Sequence, residues 1–123
     1  MIAAMEPRPD TRHWRFVLVS PDNAPQLLGA AIATFREDEG VTAIVPSNLA
    51  DELGINSPDF ARITLMVHSS LDAVGFIARI ATRLADAGMG VNPVAGYHHD
   101  HLFVPEDRAE DAMAILQALA KEG

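Results

Sequence analysis

Two stretches of this chain gather residues able to do chemistry. The first is Ser69-Ser70-Leu71-Asp72-Ala73-Val74-Gly75, which brings hydroxyls, a carboxylate and a glycine together. If a helix begins at Gly75, the amides of its first turn lack backbone partners and attract an anion such as the carboxylate of a free amino acid. Ser69 or Ser70 would then add a hydroxyl donor, and Asp72 would meet an ammonium group. The same residues have a plainer use, with Asp72 as a helix cap and Gly75 as a position free of steric clash. The second stretch is Tyr97-His98-His99-Asp100-His101, a phenol, three imidazoles and a carboxylate in a row. Imidazole and carboxylate suit a divalent metal. Neighbouring residues of an extended strand point apart, however, so a contiguous corner does not converge on one ion. A hydrogen-bonded turn, or the rim of a ligand pocket using His99 and His101, is the expectation, and no metal is expected.

Two apparent motifs are set aside on geometry. His68 and Ser69 are adjacent, which sends their side chains to opposite faces of a strand, and no G-x-S-x-G turn is present. Nucleophilic catalysis is therefore not expected, and cysteine chemistry is excluded because the chain has no cysteine. Gly88-Met89-Gly90 follows a helical pattern, so it reads as a helix terminator and not as a phosphate loop.

The elements that must position these residues follow from periodicity. Ile63, Leu65 and Val67 alternate as on a strand with one buried face. From Gly75 the spacing changes: Phe76, Ile80, Leu84 and Ala87 fall three or four apart, with Arg79, Arg83 and Asp86 on the other side. This predicts an amphipathic helix. The chain returns through Val91, Val94 and Ala95, turns at residues 97–101 and continues as a short apolar strand through Leu102, Phe103 and Val104. Pro105, Glu106 and Asp107 open a closing helix whose Ala109, Ala112, Met113, Leu116 and Ala120 share a face. Residues 61–120 thus predict β-α-β-β-α.

The first half reads less regularly. Residues 1–13, with Pro7 and Pro9, predict a flexible tail. Trp14–Ser20 reads as a buried strand and Val41–Val45 as another, with helical turns over Asn48–Leu53. Leu27–Arg36 fits either a helix or a strand. Turn residues at Gly54, Asn56, Ser57 and Pro58 predict a boundary near residues 54–60. The sum is an α+β fold with helices on one face of a mostly antiparallel sheet, and self-association is the simplest cover for the other face.

Composition narrows the function. At 49% hydrophobic the 123-residue chain is globular, and no apolar run approaches the roughly 20 residues that span a bilayer. A formal charge of -8 leaves no basic stripe for a phosphate backbone, so nucleic acid is not an expected partner. No secretory-type segment opens the chain, which makes the cytoplasm the expected location.

The helix entry Ser70-Leu71-Asp72-Ala73-Val74-Gly75 and the run VGFIARIATRLADAGMGVNPVAGYHHDHLFVP resemble the ACT domain. More specifically they resemble small bacterial paired ACT-like proteins related to cytosolic amino-acid sensors. WRFVLVS and EDEGVTAIVPSNLADELG are similar to the opening strand and following segment of the amino-terminal repeat of such pairs. The resemblance implies a ferredoxin-like ACT sandwich built of tandem repeats. A reduced unit spans 14–60 and a fuller one spans 61–121. It further implies a regulatory or sensor protein without enzymatic activity or cofactor, binding a small molecule such as a free amino acid at a homodimer interface. The ligand-binding residues it implies are Ser69, Ser70, Asp72, Val74, Gly75, Phe76, Asn92, Tyr97, His99 and His101. The alternative is an association module that binds a protein partner and no small molecule.

Overall fold

A computed structural model describes residues 5–66 and 75–122. In chain order the elements are β1 (Pro7–Leu18), α1 (Ala24–Ala30), β2 (Ala33–Glu37), β3 (Gly40–Pro46), α2 (Ser47–Glu52), β4 (Phe60–Leu65), α3 (Phe76–Asp86), β5 (Asn92–Ala95), β6 (Asp100–Pro105) and α4 (Ala109–Glu122). A 3-10 turn, Glu106–Arg108, leads into α4. The chain divides into two compact units, Met1–Thr11 with Ala61–Gly123, and Arg12–Phe60. Each carries β-α-β-β-α in sequence, and each places its third strand between its first and second. The order is β2-β3-β1 in one unit and β4-β6-β5 in the other, the ferredoxin-like arrangement. The amino-terminal unit is reduced in its helices: α1 and α2 have 7 and 6 residues, whereas α3 and α4 have 11 and 14.

In the carboxy-terminal unit the alternation of β4 sends Ala61, Ile63 and Leu65 to one face, where they meet Leu102 and Val104 of β6. Phe76, Ile80 and Leu84 of α3 and Ala112, Leu116 and Leu119 of α4 close this core from their helical stripes. Each such leucine or isoleucine contributes roughly 1.5–3 kcal/mol over leaving it in water. Arg83 of α3 makes two 2.6 Å bonds to the carboxylate of Glu122, tying the two helices at their surface. In the amino-terminal unit Val17, Leu27, Ala43, Val45 and Ala50 form a smaller core, as its short helices allow.

Two helices end in the same way. Gly54 and Gly88 adopt left-handed φ of 70° and 76°. After α2 the amide of Ile55 reaches the carbonyl of Ala50 at 2.9 Å, and after α3 the amide of Met89 reaches Leu84 at 3.1 Å. This six-to-one bond is the Schellman closure, and it satisfies carbonyls the helix leaves open. Met89 is buried beside Leu84 in the core, so the terminator read at Gly88-Met89-Gly90 is also a core anchor.

The structure differs from the expected tail at its start. β1 begins at Pro7, and Met5 is wholly buried in the carboxy-terminal core, its carbonyl accepting from the Met66 amide at 2.8 Å. Two prolines are tolerated here because the register of β1 with β3 covers only Trp14–Leu18. Pro7 and Pro9 lie beyond it, and residues two apart aim their missing donors to the same side of the strand, where no ladder bond to β3 is lost. The undecided stretch 27–36 resolves as helix followed by strand, with α1 ending before β2 starts at Ala33.

Candidate functional site

The expected anion-binding loop falls largely outside the described residues, and with it Ser69, Ser70, Asp72 and Val74. Gly75 is described and has φ of 85°, a left-handed value that favours glycine, immediately before α3. Its carbonyl accepts the first helical bond, from the Arg79 amide at 3.1 Å. No side chain caps this helix among the described residues. Phe76 is 5% exposed and belongs to the core with Ile80 and Leu84. The apolar spacing that marks the helix already assigns it there.

The remaining expected residues lie on the β5–β6 hairpin. The strands are antiparallel, with Asn92 opposite Phe103 and Val94 opposite His101. Paired residues share a face and side chains alternate, so Asn92 and His101 are diagonal neighbours on one side of the hairpin. The amide of Gly96 reaches the carbonyl of His99 at 2.9 Å, leaving Tyr97 and His98 as a two-residue tip. Tyr97 is 80% exposed and meets His98 edge-on at 5.2 Å. Gly96 must be glycine because a Cβ there would lie 2.9 Å from the His99 carbonyl oxygen and 3.3 Å from Nε2 of His101. The hairpin therefore carries His99 and His101 beside its turn and Tyr97 at the tip, with Asn92 at the far end of β5. Gly75 stands on a separate connection, at the entry to α3.

His101 is the most constrained of these side chains. Its Nδ1 is 3.0 Å from Oγ1 of Thr64 on β4. Burial holds its pKa below the ordinary imidazole value, Arg62 and His99 push the same way, and Asp100 opposes them. Nδ1 of His99 is buried without a hydrogen-bond partner among the described residues. No group of three or more His, Cys, Asp or Glu side chains able to hold a metal ion occurs among the described residues.

Sequence reasoning missed three polar contacts. Arg62 meets Asp10 at 2.9 Å, two strand positions from Thr64. Thr64 meets His101 at 3.0 Å. Arg15, 8% exposed on β1, is held in the amino-terminal unit by Asp59, Asp51 and the Ile55 carbonyl. The one available signal was an arginine within the strongly apolar strand WRFVLVS, which demands buried partners.

The fold defines a tandem of small ferredoxin-like modules. Residues 1–62 and residues 59–118 each match the ACT domain, and the chain belongs to that family. ACT domains are regulatory modules and not catalytic ones. Among solved structures, a protein of unknown function from Vibrio cholerae, described as a possible transport protein, is 39% identical with a TM-score of 0.82, covering 94% of this chain and 90% of that one. The ligand-free regulatory subunit of aspartate kinase from Thermus thermophilus is 13% identical with a TM-score of 0.68, covering 94% and 97%. A protein from Agrobacterium tumefaciens is 16% identical with a TM-score of 0.61, covering 88% and 81%. The latter two likenesses are of fold. No curated protein matches the chain. No described helix is long and apolar enough to cross a membrane.

Proposed function

We propose that this protein is a cytoplasmic small-molecule sensor or regulatory subunit that binds a free amino acid between two copies of the chain. The observation that carries this reading is the tandem ACT match, joined to a helix that opens from a left-handed Gly75 with no described side-chain cap. The amino acid's carboxylate meets the first-turn amides of α3 and the hydroxyls of Ser69 or Ser70, and its ammonium meets Asp72. Val74 and Gly75 line the approach, and Asn92, Tyr97, His99 and His101 of the hairpin contribute the rim. The signal arises if the ligand favours one arrangement of the two chains over another, and no chemistry on the ligand is needed. The structural neighbour named a regulatory subunit of aspartate kinase supports the class of function through its shared fold.

Calorimetric titration with the common amino acids tests this directly, on a sample whose mass by sedimentation is that of two chains. At least one saturable ligand is expected, and Asp72→Ala weakens it by about tenfold through loss of a charge-assisted bond. Absence of heat across the whole set from a folded dimer removes the sensor reading and leaves the association module.

A further inference from the structure

We propose that the Thr64–His101 contact is a pH-sensitive catch, holding the turn between β5 and β6 closed while the imidazole is neutral and releasing it when the ring takes up a proton. The ring is gripped on two sides. Nδ1 bonds across to Oγ1 of Thr64 at 3.0 Å, and the Nε2 edge packs against Gly96 so closely that a Cβ there would lie 3.3 Å away. Gly96 in turn closes the hairpin tip through its bond to the His99 carbonyl. The imidazole is thus the piece that joins the tip to β4.

The charges around the ring decide the sign. From β4 comes Arg62, on the same face as Thr64 by strand alternation, and from β1 comes Asp10, which already neutralises Arg62 at 2.9 Å. From its own hairpin come His99, which adds positive charge when protonated, and Asp100, which offsets part of it. The strand opposite, β5, presents Val94 and no charge. With its hydrogen on Nε2 the neutral ring accepts the Thr64 hydroxyl proton at Nδ1, and in the other tautomer Nδ1 donates to Oγ1. Once protonated it donates from both nitrogens, and the Thr64 hydroxyl is confined to accepting. A cation then lies half-buried beside Arg62, and swinging the ring into water relieves both costs. The Gly96 turn loses its backing when the ring leaves. This inference concerns the unliganded chain and does not rest on amino-acid binding.

The test is a pH titration of the isotope-labelled full chain without added amino acid, following the imidazole nitrogens and the Gly96 and Thr64 amides by NMR. His101 is expected to titrate below 6.5, with the Gly96 amide moving at the same midpoint. His101→Gln keeps a neutral polar side chain and removes the titration, so the Gly96 transition is expected to vanish. Thr64→Val is expected to remove most of it while leaving the fold intact. A His101 midpoint at or above 6.5, or a Gly96 transition that survives in His101→Gln and so belongs to His98 or His99, overturns the proposal.

Discussion

Nε of Arg15 lies 2.6 Å from Oδ1 of Asp59, while Nη1 of the same guanidinium reaches Asp51 at 2.8 Å and the Ile55 carbonyl at 3.0 Å. One buried cation thereby joins β1, the end of α2 and the segment that leads to β4. The Arg15 guanidinium holds the Asp59 carboxyl below the usual aspartate pKa. Asp59→Asn is expected to lower the unfolding free energy by about 1–2 kcal/mol in urea at neutral pH. The effect stays modest because Asp51 still meets the guanidinium and about a third of the Asp59 side chain is in water.

Asp59 also fixes the sign of an acid limb. A carboxyl with a depressed folded pKa stabilises fully above its unfolded value of 3.8, and the contribution drains away as pH falls through the folded value. Stability measured between pH 5 and 2 should therefore fall less steeply in Asp59→Asn than in the parent, and equal slopes would remove Asp59 from the acid response.

His101 gives the opposite case for a base. Its folded pKa is lowered, so the unfolded chain protonates first on acidification and stability is lost as pH falls below 6.5, levelling off once the folded ring is protonated. Denaturant midpoints collected from pH 8 to 5 are expected to decline in the parent and to decline less in His101→Gln.

Two glycines separate strain from collision. Gly75→Ala places a side chain at φ of 85° with no described residue near the new Cβ, and is expected to cost about 1–2 kcal/mol. Gly96→Ala drives a Cβ to 2.9 Å from the backbone oxygen of His99, which cannot rotate away, and is expected to cost about 1–3 kcal/mol while moving the hairpin amides. Chemical shifts localise the response: the hairpin moves in the second variant and not in the first.

Burial separates two further substitutions. Leu116→Ala empties a fully buried site in the carboxy-terminal core and is expected to cost about 2–5 kcal/mol. Phe35→Ser changes a ring 71% exposed on β2 and is expected to leave stability within about 0.5 kcal/mol. Thermal or urea unfolding of the pair checks both.

The sequence by itself determined the carboxy-terminal β-α-β-β-α unit. Alternation at Ile63 and Leu65, the three-and-four spacing of Phe76, Ile80 and Leu84, and the glycine after α3 are local signals, since strand, helix and cap each depend on residues within a few positions. Only the tertiary structure decided which polar groups meet. Arg15 finds Asp59 across 44 positions, Arg62 finds Asp10 across 52, and His101 finds Thr64 across 37. Partners so far apart leave no periodic trace, because each is chosen by strand order and register and not by its neighbours in the chain. The same reason turned the expected tail into a strand. Pro7 and Pro9 read as breakers locally, but beyond the register with β3 their missing donors cost no ladder bond, and Met5 gained a place in a core built from residues more than 50 positions away.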